Sequence, residues 1–503
     1  MWSAGAPTTA RDGVCAPQIK TGLNHLELGI SAVHYTEGGL VDESFCYHAG
    51  IWNGRGTLSG VQRATDLGRR VVVTTFGSLG DLHPYLALGL GLRAHGHEVV
   101  IATGKCYRDK IEALGLSFAA VRPDCDWVTD PERMRRLSHP RWGLFRVLQM
   151  QLGSLREAFE DTLAASEGAD LLVCNLAAYA ARLVAEKTGI PWASAMHIPM
   201  MCFSAYDPPL LPGLPMVSKN LRLLGPTFWG PLGRLLRRWM GWLAKPFHRF
   251  RAEIGLPPVA ELNPLTDGHS PRRHLALFSK LLLDIKPDWP AQTVVTGFPW
   301  LDHGGGAPLP PILARFLDRG PPPIVFTMGT ALATQPGTFY EISAQAARAL
   351  GRRAVLILMD SRNRPRSLPD GVVAFDYAPF AELFPRAAAV VHHGGIGTTG
   401  LAMRAGCPTL VMPCAWDQED NAARAARLGI ARTIPRRSYT PARVAAELRR
   451  LLDDPAYTRR AATIAAQVRQ EDGVRVACDA LSALLPTTSA NMVIGDGTKR
   501  STK

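Results

Sequence analysis

Short unbroken apolar runs alternate along this chain with stretches in which apolar residues recur at helical spacing. Val71-Val72-Val73-Thr74-Thr75-Phe76 reads as a buried β-branched strand, Gly77 to Asp81 as a turn, and residues 84–94 as a helix opened by proline and closed near Gly96. A second strand follows at 97–103, and the alternation returns with strand 171–175, helix 179–188 and strand 192–197. In the second half, strands are expected at 324–328, 354–359, 372–377, 390–393 and 409–413, with helical patterns between them and onward from Pro441. Strands that alternate with helices predict α/β architecture with parallel, doubly wound sheets.

The same pattern divides the chain. Residues 1–68 keep no sustained period and read as an extension, expected to be dispensable and even to arise from an upstream start that is not the natural one. A first α/β domain is expected over 69–300, a Gly/Pro-rich linker over 301–323, a second α/β domain over 324–485 and a polar tail over 486–503. Within the first domain, residues 145–163 predict one amphipathic helix. Residues 232–250 carry an apolar stripe flanked by Arg234, Arg237, Arg238, Lys245 and Arg249. That stripe either covers the first core or, through Trp229, Trp239 and Trp242, meets an anionic membrane surface or a lipophilic acceptor.

Composition narrows the class. At 503 residues two domains are needed, and 47% hydrophobic with 20% charged residues is a globular balance. The net charge of +13 comes without zinc-finger spacing or an RNP-like aromatic motif, so anionic small molecules or lipid are favoured over nucleic acid. No apolar run reaches membrane-spanning length, and the N-terminus lacks a signal peptide's continuous apolar core. Nine scattered cysteines without a C-x-x-C pair suit a reducing cytoplasm.

The chemistry concentrates at Val390-Val391-His392-His393-Gly394-Gly395-Ile396-Gly397-Thr398-Thr399-Gly400. A strand, a glycine turn and a helix start make a phosphate seat, because glycine lets the backbone approach an anion and the helix N-terminus favours negative charge. Gly395-x-Gly397-x-x-Gly400 also satisfies the dinucleotide fingerprint, with Asp417 near the ribose spacing, so an NAD-type oxidoreductase is a rival reading. Against it stand the late position of the motif and the polar residues His392, His393, Gln418 and Asn421 around it. Asp124-Cys125-Asp126 imitates a metal-holding D-x-D but lies outside this seat, and Phe76 replaces the first glycine of a hydrolase elbow at 76–80.

Together, Gly77-Ser78-Leu79-Gly80-Asp81-Leu82-His83-Pro84 and His393-Gly394-Gly395-Ile396-Gly397-Thr398, with Asp417-Gln418 and Asn421, resemble the nucleotide-sugar-dependent glycosyltransferases of the macrolide, sterol and UDP-glucosyl type. Within these the chain is most similar to bacterial enzymes like the rhamnosyltransferase B subunit. The resemblance implies a GT-B fold, two facing Rossmann-like domains with parallel sheets, the acceptor on the first and the donor on the second. It implies that His393, Gly394, Gly395, Gly397 and Thr398 hold the diphosphate with Asn421, Gly329 and Thr330. Tyr377 would lie against the nucleobase, and Asp417 and Gln418 would bind the sugar. Asp81 falls at the base position, with His83 as competitor, since an ordinary histidine pKa near 6.5 suits proton abstraction better than an aspartate's of about 3.9. Inverting transfer of a hexose from a UDP- or dTDP-sugar to a hydroxyl of a lipophilic acceptor follows, with no cofactor and no metal. A peripheral contact with the inner face of the membrane, and a catalytically inactive helper protein as the non-enzyme rival, complete the expectations.

Overall fold

The computed structural model describes residues 68–124, 130–210, 218, 220–259, 263–301 and 308–485. The expected extension and tail lie outside these residues, apart from Gly68, as do Cys125 and Asp126.

Two parallel sheets organise the described chain. The first contains β1 (Arg70–Thr74), β2 (Glu98–Thr103), β3 (Ser117–Ala120), β4 (Leu171–Asn175), β5 (Trp192–Met196), β6 (His274–Ala276) and β7 (Thr293–Val295), in the order β3-β2-β1-β4-β5-β6-β7. The second contains β8 (Ile324–Thr327), β9 (Ala354–Ile357), β10 (Val372–Phe375), β11 (Ala389–His392), β12 (Thr409–Val411) and β13 (Ala431–Thr433), in the order β10-β9-β8-β11-β12-β13. Val71, Val72 and Val73 are fully buried because helices cover both faces, and their registers with Val99–Ile101 and Leu171–Val173 are parallel. That double coverage is why the strands read as unbroken apolar runs.

In each sheet the strand order reverses once beside the first-formed strand, between β1 and β4 and between β8 and β11. A crevice opens at the carboxyl ends of the strands at such a switch point, and it is the natural ligand position of a doubly wound sheet. The loop after β1 leads into Asp81, and the turn after β11 carries His393.

Several local expectations are corrected. The helix expected over 145–163 is two, Gly143–Gly153 and Leu155–Ala165, broken where Gly153 and Ser154 are poor helix formers and the Ser154 hydroxyl donates to the Met150 carbonyl. The linker at 301–323 contains a helix, Pro311–Asp318, whose Leu313 and Leu317 are buried with Val325, Val355 and Val390 of the second sheet. The last helix, Gly473–Ser482, was grouped with the second sheet but packs on the first: Ala477, Cys478 and Leu481 are buried among Val71, Leu88 and Leu92. β3, β6, β7 and β13 escaped notice because runs of three or four residues carry no readable period.

The two sheets are joined by shared apolar packing. Met196 and Phe278 from the first lie in one cluster with Ile396, Met403, Val411 and Ala422 from the second. Trp416 touches both main cores and donates its indole N–H to the Leu137 carbonyl at 3.0 Å.

Candidate active site

On the first domain, the chain leaves β1 through Gly77, whose φ of +132° and missing side chain let the Asp81 carboxylate fold back over the turn. Asp81 sits in the first turn of the helix Leu79–Ala94. Its Oδ2 accepts from the Ser78 backbone N–H at 2.6 Å and the Ser78 hydroxyl at 2.8 Å, forming a capping box. Its Oδ1 meets His197 Nε2 at 2.8 Å. Burial pushes the Asp81 carboxyl up, but the His197 hydrogen bond and charge, with the Ser78 bonds, outweigh it and hold Asp81 below the ordinary range. Asp81 is therefore a carboxylate at neutral pH.

His83 lies two residues further along the same helix, about 200° around its axis from Asp81. The imidazole on Asp81 is that of His197, one residue beyond β5, which the sequence reading treated only as a strand end. Its signal was available in the same form as those of Asp81 and His393: a polar side chain at the carboxyl end of a strand beside a switch point.

On the second domain, β11 ends in His392, which is fully buried and whose Nδ1 accepts from the Gly394 N–H at 3.1 Å. Burial, with neighbouring His393, pulls His392 down to about 3, so it is a neutral brace of the turn. Gly394, at φ +94°, makes the turn, and a Cβ there would stand 2.9 Å from Val411 Cγ1. The His393 ring is wedged between Gly329 and Gly395: a Cβ on Gly329 would stand 2.5 Å from its Cε1, and one on Gly395 would strike Nε2. Burial lowers His393 to about 4, and its Nδ1 has no hydrogen-bond partner among the described residues. Gly395 caps the helix Ile396–Ala405 with no side-chain oxygen, so the first-turn N–H groups are left to another acceptor. Gly397 is exposed with open space where its side chain would be, and Thr398 is buried beside it. The Gly329 N–H is held by the Thr327 hydroxyl at 3.1 Å, and Thr330 follows, half-buried.

Asp417, Gln418 and Asn421 arrive on the helix Gln418–Arg427 and the residue before it. Asn421 donates from Nδ2 to the Gly394 carbonyl at 2.9 Å and to Asp417 Oδ2 at 2.6 Å. Gln418 departs from the expected role in part: its Oε1 accepts from the N–H groups of Cys414 and Ala415 at 2.9 and 3.0 Å. Only its NH2 remains for a ligand. Trp416, at φ +53°, is a left-handed non-glycine residue pinned by both cores, and it sets the direction of Asp417. Tyr377 is separate from this group. It follows the edge strand β10, 62% exposed, two strands and so roughly 10 Å from β8 along the same sheet margin.

The two halves face each other electrostatically. Asp417 is raised to about 6, first by burial and also by the negative charge of Asp81, while the Asn421 hydrogen bond opposes the rise. Asp81, His197 and Asp417 thus share one cleft. Behind it, Asp420 accepts from Arg424, from Arg222 at 2.9 Å and from the Leu210 N–H at 2.9 Å, while Asp207 takes Arg424 at 3.0 Å and Arg427 at 2.9 Å. This charge cluster ties Asp207, Leu210 and Arg222 of the first domain to the helix that carries Gln418 and Asn421. Sequence gave no sign of it.

The raised Asp417 has a sign. The folded protein keeps this proton up to about pH 6 and the unfolded chain releases it near 3.8, so stability falls as pH rises between them and the full cost is present above about 6. Asp417→Asn should remove that cost, leaving a melting temperature that declines less between pH 4 and pH 7 than in the parent. Equal slopes in thermal denaturation would contradict the assignment.

Comparison with known proteins agrees with this geometry. Residues 71–206 match the glycosyltransferase family 28 N-terminal domain, and residues 346–477 match the erythromycin biosynthesis protein CIII-like C-terminal domain. O-mycaminosyltylonolide 6-deoxyallosyltransferase of Streptomyces fradiae is 34% identical over 81% of this chain and 96% of its own length. Vancomycin aglycone glucosyltransferase of Amycolatopsis orientalis is 32% identical over 84% of this chain and all of its own. In three dimensions the kitacinnamycin glycotransferase superposes with a TM-score of 0.62 at 24% identity, covering 83% of this chain and 99% of that one. The dinucleotide reading of the glycine motif finds no counterpart in these relatives. With its two parallel-sheet domains in the GT-B arrangement, the chain belongs to the glycosyltransferases, in the family that joins a family 28 N-terminal domain to a CIII-like C-terminal domain.

Proposed function

We propose that this glycosyltransferase moves a hexose from a UDP- or dTDP-sugar to a hydroxyl of a lipophilic acceptor, with inversion and without a metal ion. The observation that carries the reading is the opposition of an ionised, half-buried Asp81 to the seat built from His393 and an uncapped helix start, with Asp417 feeling the charge of Asp81. The acceptor O–H gives its proton to Asp81 while its oxygen bonds the anomeric carbon, and the bond from that carbon to the diphosphate breaks. The leaving charge is met by the first-turn N–H groups and by an N–H of His393. Because base and leaving group stand on opposite sides, the anomeric centre inverts. Asp417 and the Gln418 NH2 take sugar hydroxyls, and Tyr377 offers its exposed ring to the nucleobase. Metal independence is supported by the seat itself, where an N–H of His393 and the uncapped start of the helix Ile396–Ala405 can meet the diphosphate charge that a cation would otherwise meet.

The acceptor class is supported by the helix Gly225–Met240 and its continuation. Trp229 and Gly233 face inward, Gly233 against the Phe203 ring. Outward, Phe228, Leu235, Trp239 and Trp242 are 37%, 63%, 66% and 50% exposed, and their spacing of seven, four and three residues makes one stripe. Trp242 also meets Phe145, beside exposed Trp142 and Leu144. No acidic residue occurs between Asp207 and Glu253, and exposed Arg234, Arg238, Lys245 and Arg249 have no ion-pair partner among the described residues. An outward apolar stripe bordered by free cations suits the interface of an anionic bilayer. No helix among the described residues is long and apolar enough to cross a membrane, so the contact is peripheral.

Two experiments test these readings. Incubated with UDP- and dTDP-hexoses and hydroxylated lipids or sterols in excess EDTA, the protein should form a glycoside whose NMR coupling shows the anomeric configuration opposite to the donor's. Asp81→Asn should cut kcat by about 100-fold or more while nucleotide affinity stays. A retained configuration, or loss of activity in EDTA, contradicts the mechanism. Vesicles containing phosphatidylglycerol should sediment with the protein and neutral vesicles should not. Trp239→Ala with Trp242→Ala, or Arg234→Glu with Arg238→Glu, should weaken that binding about 10-fold or more. Unchanged binding, or a stripe variant that only turns a dimer into a monomer, overturns the membrane reading.

A further inference from the structure

The group that the reaction scheme leaves without a task is His197. It is almost wholly buried, one residue beyond β5, and nothing in its own strand requires a polar side chain there. Its Nε2 lies 2.8 Å from Asp81 Oδ1. Asp81 is ionised, and an ionised carboxylate only accepts, so Nε2 is the donor. Nδ1 is buried with no hydrogen-bond partner among the described residues. Among the described residues the ring is therefore hydrogen-bonded on one side only, by Asp81, and it also meets the Tyr85 ring edge-on, centroids 5.8 Å apart.

The carboxylate's bonds divide unevenly. Both Ser78 donors go to Oδ2, whereas Oδ1 has His197 alone. Oδ1 keeps a free lone pair in the cleft that also contains Asp417, and it is the oxygen available to a hydroxyl. The two oxygens turn together about the Cβ–Cγ bond, so each bond restrains both. Without His197, the two Ser78 bonds at Oδ2 would be left to limit that rotation, and Oδ1, at the far end, would swing more widely. Its negative charge would also face burial with only the Ser78 donors to offset it.

We propose that His197 is a positioning residue for glycosyl transfer: its Nε2–H holds Oδ1 of Asp81 toward the acceptor hydroxyl. The arrangement is an aspartate base on the first helix, oriented by a histidine from the fifth strand. It rests on the assignment of Asp81 as the base. Every titratable group facing the pair contributes to its pH response: Asp417 from the second domain, and Tyr85, which donates its hydroxyl to the Ala195 carbonyl and whose pKa burial raises, so that it stays neutral.

The test separates a holder of Oδ1 from a filler of space. Glutamine places its amide nitrogen where Nε2 of histidine lies and can donate the same bond, but it does not titrate in this range. In His197→Ala, kcat should fall about 10- to 100-fold with little change in donor KM, the scale of loss expected from a misplaced reacting group. In His197→Gln it should recover to within a few-fold of the parent. Carboxyl 13C NMR gives a readout that needs no turnover. The resonance lost in Asp81→Asn should titrate at higher pH in His197→Ala than in the parent or in His197→Gln, and the resonance lost in Asp417→Asn marks the second carboxyl. Melting temperature and UDP or dTDP binding confirm that each variant is folded.

An unshifted Asp81 titration in folded His197→Ala overturns the proposal, as does Gln failing to restore either readout. If the parent transfers sugar but Asp81→Asn does so equally well, the base assignment fails instead, even where the NMR shift is seen. The two failures are therefore distinct.

Discussion

The turn after β11, the proposed donor site, depends on one side-chain amide. Asn421 is fully buried, and its NH2 spans the Gly394 carbonyl and the Asp417 carboxylate. It thereby ties the glycine turn after β11 to the start of the helix Gln418–Arg427. Leaving either acceptor unsatisfied would cost about 1–3 kcal/mol, more for the charged one. The turn's other constraints have the same character: His392 accepts from Gly394, and the His393 ring fills the space that side chains on Gly329 and Gly395 would occupy. A turn held in this way is set before any ligand arrives, and in the proposed reaction its helix dipole and N–H groups would need little rearrangement to meet developing charge.

Holding the second site against the first is the work of buried contacts behind the cleft. Asp420 and Arg424 are both fully buried, and with Asp207, Arg222 and Arg427 they join the two domains. Such a cluster is weak evidence for net stability, since desolvation offsets much of the attraction, but removing one member leaves an uncompensated charge at a cost of about 3–5 kcal/mol. It therefore specifies an orientation. Trp416 does so as well, from an αL backbone that a bulky residue adopts only when its surroundings compel it. Between these two devices lies Asp417, and their joint effect is that it faces Asp81.

What could be read from sequence follows from the range of the interactions involved. The central strands were legible because helices bury both their faces and leave continuous apolar runs such as 71–73 and 324–327. The strand–glycine–helix unit proposed as the phosphate seat was legible because its glycines, its histidine and its helix are consecutive. Short edge strands such as β13, and the return of the helix Gly473–Ser482 to the first sheet, were not, since neither depends on a local pattern. The same division runs through the site. Asp81 stood out beside Gly77 and Gly80, but its partner His197 lies 116 residues away at the end of another strand, a contact that no local pattern announces. Gln418 was placed near the sugar without its two backbone donors, which belong to a turn whose shape sequence does not disclose.

The central claim is that a nucleoside diphosphate occupies the seat between β8 and β11, opposite Asp81. A crystal structure with UDP or dTDP bound tests it most directly. The account predicts diphosphate oxygens within hydrogen-bond distance of a His393 ring nitrogen and of backbone N–H groups at the start of the helix Ile396–Ala405, with the base near Tyr377. A nucleotide bound elsewhere, or one whose diphosphate leaves His393 and that helix start untouched, would contradict it.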